Sequence, residues 1–248
     1  MLFIRSLLYN IVGWASVLVA ATALIVTFWA PRRVHTWLCV TWCRFATWSL
    51  KIFCGIDVIV EGRENIPDEP SVVMLKHTST FETFWHVTLF PKTVWVVKRE
   101  LLRIPVVGWA LYLALDPIAI NRSSGTSAIK QVIEQGKDRL SRGIWVSVFP
   151  EGTRMPPGET RRYGVSGAAL ARDAGVKIVP VAHNAGDLWT RLSFTKHPGT
   201  IRVRVGPPID PAGRPPKETN LVVQEWIESQ MYEISAVYKE KVVQPSPD

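Results

Sequence analysis

Residues 71–82 read SVVMLKHTSTFE, and residues 144–154 read IWVSVFPEGTR. In both, a short unbroken apolar run empties into polar and ionisable residues. Runs of this length, rich in valine and isoleucine and closed by turn-forming residues, are those of strands buried on both faces. Residues 57–60, 93–97, 117–120, 177–181 and 200–205 carry the same signal. Helical patterns lie between them, at 81–90, 106–114, 126–142 and 164–174. The third sets Ile129, Val132, Ile133, Gly136 and Leu140 on one face and stops at Gly143, a natural C-terminal glycine. Strands alternating with helices predict an α/β domain whose mixed, largely parallel sheet is flanked by helices. A proline-rich link at 206–217 then leads to an amphipathic helix from about residue 220 to 241.

Upstream of this pattern the chain changes character. Residues 7–30 read LLYNIVGWASVLVAATALIVTFWA, without a charge. A helix of that length reaches roughly 36 Å, enough to cross a hydrocarbon layer of about 30 Å. Trp14 and Trp29 lie towards its ends; Arg5 flanks one side, and Pro31, Arg32 and Arg33 the other. The run exceeds the apolar core of a signal peptide, so a retained membrane-binding helix is expected. The larger positive flank follows the run and predicts a cytoplasmic body. In residues 34–56, Arg44 and Lys51 project from one side of a helix, and Leu38, Trp42, Phe45 and Ile52 from the other. This second helix admits two readings: it lies in the lipid interface, or it packs on the body. We divide the chain into membrane-anchoring helices at 1–56 and an α/β domain with a C-terminal helix at 57–248. Cys39, Cys43 and Cys54 form no disulfide framework and no zinc spacing, and are expected as small apolar residues facing lipid.

The 248 residues are 47% hydrophobic and 20% charged, which excludes a disordered or collagen-like chain. Lys and Arg exceed Asp and Glu by 29 to 21, a formal charge of +8 that suits an anionic partner such as a membrane surface or a phosphorylated substrate.

In α/β sheets ligands gather beyond the carboxyl ends of the strands. His77 stands at such an end, and a neutral imidazole there can accept a proton from a hydroxyl. Glu82, one helical turn on, can orient it. The spacing Ser79-x-x-Glu82 is also a helix-capping box, and on spacing alone the cap is favoured. His86 reads as a helix-surface histidine. Glu151, Gly152, Thr153 and Arg154 follow a second strand; a guanidinium there suits a phosphate, and the competing reading is a solvated turn. Lys98-Arg99-Glu100 and Asn121-Arg122 follow two more strands. Four such clusters would converge charge on one sheet edge around His77. Val179-Pro180-Val181 reads as scaffolding that ends near His183, whose role is open.

In this order the motifs resemble those of the glycerolipid acyltransferase family, specifically the 1-acyl-glycerol-3-phosphate (lysophosphatidate) acyltransferases. Its His-x4-Asp motif is met here as His77-x4-Glu82, with the carboxylate one methylene further out. Its FPEGTR motif stands unchanged at 149–154, and blocks at 98–122 and 179–181 correspond. The resemblance spans about residues 57–205 and implies acyl transfer from acyl-CoA or acyl-carrier protein to the sn-2 hydroxyl of lysophosphatidate, giving phosphatidate. His77 would be the general base, oriented by Glu82, with no covalent intermediate. Arg154, Lys98 and Arg122 would hold the phosphate. Glu151, Gly152 and Thr153 would shape the acceptor pocket. No metal, cofactor or nucleic acid is implied. The alternatives are an acyltransferase for glycerol 3-phosphate or another lyso-lipid, and a non-catalytic, membrane-tethered module that binds anionic lipid. A serine hydrolase or thioesterase lacks its nucleophile elbow: the nearest match, at 164–168, misses the second glycine.

Overall fold

A computed structural model describes residues 1–90, 92–121 and 126–243. Each of the seven expected strands is present: Ile56–Glu61 (β1), Val72–Leu75 (β2), Thr93–Lys98 (β3), Ile118–Ile120 (β4), Trp145–Val148 (β5), Ile178–His183 (β6) and Gly199–Val205 (β7). They form one sheet in the order β1-β7-β6-β2-β5-β3-β4. From β6 through β4 all neighbours are parallel; β7 runs antiparallel to β6 and parallel to β1. Five carboxyl ends therefore share one edge, and His77, Lys98, Asn121, the 149–154 loop and His183 all lie on it.

Leu2–Val26 (α1) and Arg32–Cys54 (α2) form an N-terminal hairpin. Phe81–Trp85 (α3) follows β2, and Val107–Ala110 (α4) follows β3. Thr126–Ser141 (α5), Ser166–Ala174 (α6), Ala185–Leu188 (α7), Pro216–Ile234 (α8) and Ala236–Val243 (α9) complete the described helices. Alternate strand residues serve opposite cores. Val73 and Leu75 face α2 and α3, whereas Val72 and Met74 face α5, α6 and α8. Gly136 is required by close approach, since a Cβ there would meet Leu170 Cδ2 of α6 at 2.5 Å. The expected C-terminal helix is two: Asp187 accepts bonds from Ser235 Oγ at 2.8 Å and Ala236 N–H at 3.0 Å, breaking the helix at Ser235 and capping α9. The expected helix at 81–90 tightens to 3-10 geometry at His86–Thr88, and that at 106–114 becomes a π-helical turn at Leu111–Leu115.

α1 has mean hydropathy 1.8 over its most apolar stretch, only 17% of which is buried. It is long and apolar enough to cross a membrane. The cysteines do not face lipid. Cys39, Cys43, Ala46, Leu50 and Cys54 form a helix-period stripe buried in the core against the sheet. Small side chains there let α2 lie close to the strands. Trp37, Phe45, Trp48 and Ile52, on the outer side of α2, are exposed. Thus α2 packs on the body while presenting an apolar flank outward.

Candidate active site

β2 carries four fully buried residues to the sheet edge, where the chain turns at His77 and starts α3. His77 Nδ1 lies 2.8 Å from Glu82 Oε1. The same oxygen accepts the N–H groups of Thr78 at 3.0 Å and Ser79 at 2.8 Å. The backbone bond of the capping box therefore forms, and the oxygen that makes it is the one that orients the imidazole. Ser79 Oγ makes a different bond from the box, accepting the Phe81 N–H at 3.2 Å. With Nδ1–H donated to a carboxylate, Nε2 carries the free lone pair. Phe149 stacks on the His77 ring with centroids 4.2 Å apart. The His77 side chain is 11% exposed, so its edge reaches the surface, whereas Glu82 is enclosed.

Burial alone would raise the Glu82 carboxyl. His183, the hydrogen bond from His77 and the Ser79 N–H outweigh it and hold the carboxyl below its ordinary range. Glu82 Oε2 makes no hydrogen bond and faces His183 Nε2 at 3.7 Å. His183 Nε2–H donates to the Lys76 carbonyl at 2.8 Å, and its Nδ1 accepts the Ala185 N–H at 3.3 Å. Burial lowers the His183 pKa, opposed by the neighbouring Glu82 carboxylate. His86 is not on the surface as expected. It is fully buried, bonded through Nδ1 to the Glu82 carbonyl at 2.7 Å, and burial brings its pKa down to about 4.

Beneath His77 lies a buried network that the sequence motifs did not reveal. Glu151 Oε2 accepts the His77 N–H at 2.8 Å, and Oε1 accepts Lys76 Nζ at 2.7 Å. Lys76 Nζ also reaches Glu228 Oε1 of α8 at 2.8 Å, and Tyr163 and Tyr238 hydroxyls donate to Glu228 at 2.7 and 3.0 Å. Burial, opposed by Lys76, holds the Glu151 carboxyl above its ordinary range. Glu151 thus turns into the protein and braces the His77 backbone. The only sequence signal for this network is a lysine placed directly after a buried apolar strand.

The loop after β5 is drawn to the same point: Met155 N–H donates to the His77 carbonyl at 2.7 Å, so Arg154 stands beside the His77 turn. Gly152, with φ +70°, makes the turn of that loop, and Thr153 is half-buried beside it. Lys98 ends β3, which is two strands from β2 and so about 10 Å away along the same edge. Arg122 lies outside the described residues. Among the described residues, no group of three or more His, Cys, Asp and Glu side chains could hold a metal ion.

A family profile described as Acyltransferase matches residues 57–184. The chain is 41% identical over 251 aligned positions to the 1-acyl-sn-glycerol-3-phosphate acyltransferase of Pseudomonas aeruginosa, covering 98% of this chain and 96% of that one. It is 31% identical to the human 1-acyl-sn-glycerol-3-phosphate acyltransferase alpha, covering 87% of this chain and 75% of the relative. Among solved structures, the 1-acyl-sn-glycerophosphate acyltransferase PlsC of Thermotoga maritima superposes with TM-score 0.77 at 23% identity, covering 94% of this chain and 95% of that one, and so shares the fold. With the His77–Glu82 pair at the strand edge and these likenesses along nearly the whole length, the chain belongs to the 1-acyl-sn-glycerol-3-phosphate acyltransferase family of O-acyltransferases.

Proposed function

We propose that the protein transfers a fatty acyl group from acyl-CoA or acyl-carrier protein to the sn-2 hydroxyl of lysophosphatidate, yielding phosphatidate. His77 Nε2 takes the hydroxyl proton as the oxygen attacks the thioester carbonyl. The new C–O bond forms, the C–S bond breaks, and the proton passes to the departing thiolate. Transfer is direct, without an acyl-enzyme. Glu82 fixes the imidazole tautomer and stabilises the imidazolium. The observation that carries this reading is the 2.8 Å His77–Glu82 contact at the sheet edge, with Nε2 left for substrate. Arg154, Lys98 and Arg122 neutralise the acceptor phosphate.

An apolar cavity of about 120 Å³ adjoins α3, lined by Ala21 and Leu24 of α1, Cys39 and Cys43 of α2, Phe84 and Trp95. Its walls suit an acyl chain. The exposed apolar side chains of α1, from Phe3 and Ile4 to Val26, suit a bilayer, which is where the lysophosphatidate acceptor resides. Arg32 and Arg33 after the helix favour a body on the cytoplasmic face.

The test is acyl transfer from labelled acyl-CoA and acyl-carrier protein to lysophosphatidate, glycerol 3-phosphate and other lyso-lipids. His77→Ala is expected to remove turnover, by a factor of at least about 10³, while fold and vesicle binding persist. Near-normal turnover in that variant refutes the assignment.

A further inference from the structure

The segment 99–115 does three things at once. It roofs the apolar cavity: Val107, Ala110, Leu111 and Leu115 all line it. It turns Leu101, Ile104, Trp109, Tyr112 and Leu113 outward, 40–68% exposed. Its helical part begins at a strained residue, Val106 at φ +64°, and ends at Asp116, which takes the left-handed conformation at φ +49°. Positive φ is costly for a β-branched valine and marks positions held by function or by their surroundings. Within the segment, Leu111–Leu115 is a π-helical turn, a local geometry found mostly at functional sites. Gly108 packs so closely that an added Cβ would lie 2.5 Å from the Leu101 carbonyl oxygen, which makes the Arg99–Arg103 turn and α4 one body. Its far end is clamped: Asp116 pairs with Arg139 at 2.6 Å, Arg142 at 3.0 Å and Arg32 at 3.8 Å.

We propose that residues 99–115 form a flap seated in the bilayer surface, through which an acyl chain passes between lipid and the apolar cavity. This rests on the reading of that cavity as the acyl site. A bilayer is the occupant of the outer face because that face continues an apolar surface already suited to lipid. Ala110 and Ala114 pack on Ala21 and Leu24 of α1 in a small core of their own, and Leu18, Val19 and Val26 of α1 are exposed. Lys98, Arg99 and Arg103 are exposed where the flap begins and match anionic headgroups. Aromatic residues such as Trp109 and Tyr112 suit the headgroup level.

The native cysteines are all buried, so an introduced surface cysteine can be labelled selectively. A fluorophore on Tyr112→Cys of the full chain is read in phosphatidylcholine–phosphatidylglycerol vesicles whose acyl chains carry bromine. Val19→Cys serves as the α1 reference and Asp210→Cys, at an exposed site in the link after β7, as the aqueous one. The flap predicts quenching of the Tyr112 label by about two-fold or more, alongside Val19 and unlike Asp210. In a second arm, Tyr112→Asp is expected to raise KM for long-chain lysophosphatidate in vesicles about ten-fold with kcat retained. A quenched Val19 label with an unquenched Tyr112 label overturns the flap and leaves the proposed reaction standing. If neither label is quenched, the flap and the membrane placement both fall. An unchanged KM with reduced kcat marks the segment as structural and also overturns the flap.

Discussion

Glu82→Gln separates an orienting carboxylate from a helix cap. The amide keeps the size of the side chain and an oxygen that can still accept from Thr78 and Ser79, but it loses the charge facing His77. At an effective dielectric of about 20, unit charges 2.8 Å apart attract by about 6 kcal/mol. Delocalisation over both nitrogens and both oxygens brings this to about 3 kcal/mol, so the transition state bearing an imidazolium loses about 3–6 kcal/mol. That corresponds to a fall in kcat of about 10² to 10⁴. If the amide turns its NH2 towards His77, Nδ1 must become the acceptor and Nε2 carries the hydrogen, which removes the base outright. The loss of stability is expected to be smaller, about 1–3 kcal/mol, because the backbone donors keep an acceptor. The assay pairs single-turnover acyl transfer with thermal unfolding of the same preparations. A variant that retains kcat within about ten-fold while its stability falls by several kcal/mol would make Glu82 a cap alone and refute the reasoning.

His86, buried and neutral with a pKa of about 4, resists protonation that the unfolded chain accepts near its ordinary value of 6.5. Stability is therefore present above pH 6.5 and lost as the pH falls towards 4, by about 3 kcal/mol; denaturant unfolding across that range should show a loss that His86→Met lacks. Lys76→Met leaves two buried carboxylates facing each other and is expected to cost about 3–5 kcal/mol, with Glu228→Gln restoring part of it in a double-mutant cycle. Arg154→Ala should chiefly raise KM for the phosphorylated acceptor, since the phosphate is held in ground and transition states alike; an unchanged KM in steady-state assays would contradict that role.

The strands were legible because a buried parallel strand is a local pattern, an apolar run closed by turn residues, and all seven runs hold. The pairing of His77 with Glu82 was legible as spacing, but spacing offered a cap and a catalytic pair as rivals. In the folded chain they coincide in one oxygen, Glu82 Oε1. Lys76 and Glu228 stand 152 residues apart in the chain, and no local pattern ties them. His86 departs from its expected surface position because four residues of helical spacing cannot say whether the facing surface is water or, as here, Phe149 and Trp95. The cysteines depart from the expected lipid face for the same reason: a small-residue stripe looks alike against lipid and against a sheet.

From its residues alone this chain declares an apolar leading helix, seven strands and polar clusters at the strand ends, because those features are set by hydrophobic periodicity and turn chemistry within a dozen positions. Which strand ends share an edge, which carboxylates are enclosed, and what roofs the apolar cavity depend on strand order and on contacts between segments far apart in the chain. Those are long-range packing outcomes, in which burial shifts the ionisation of groups such as Glu151 and His86, and they exist only once the chain has folded.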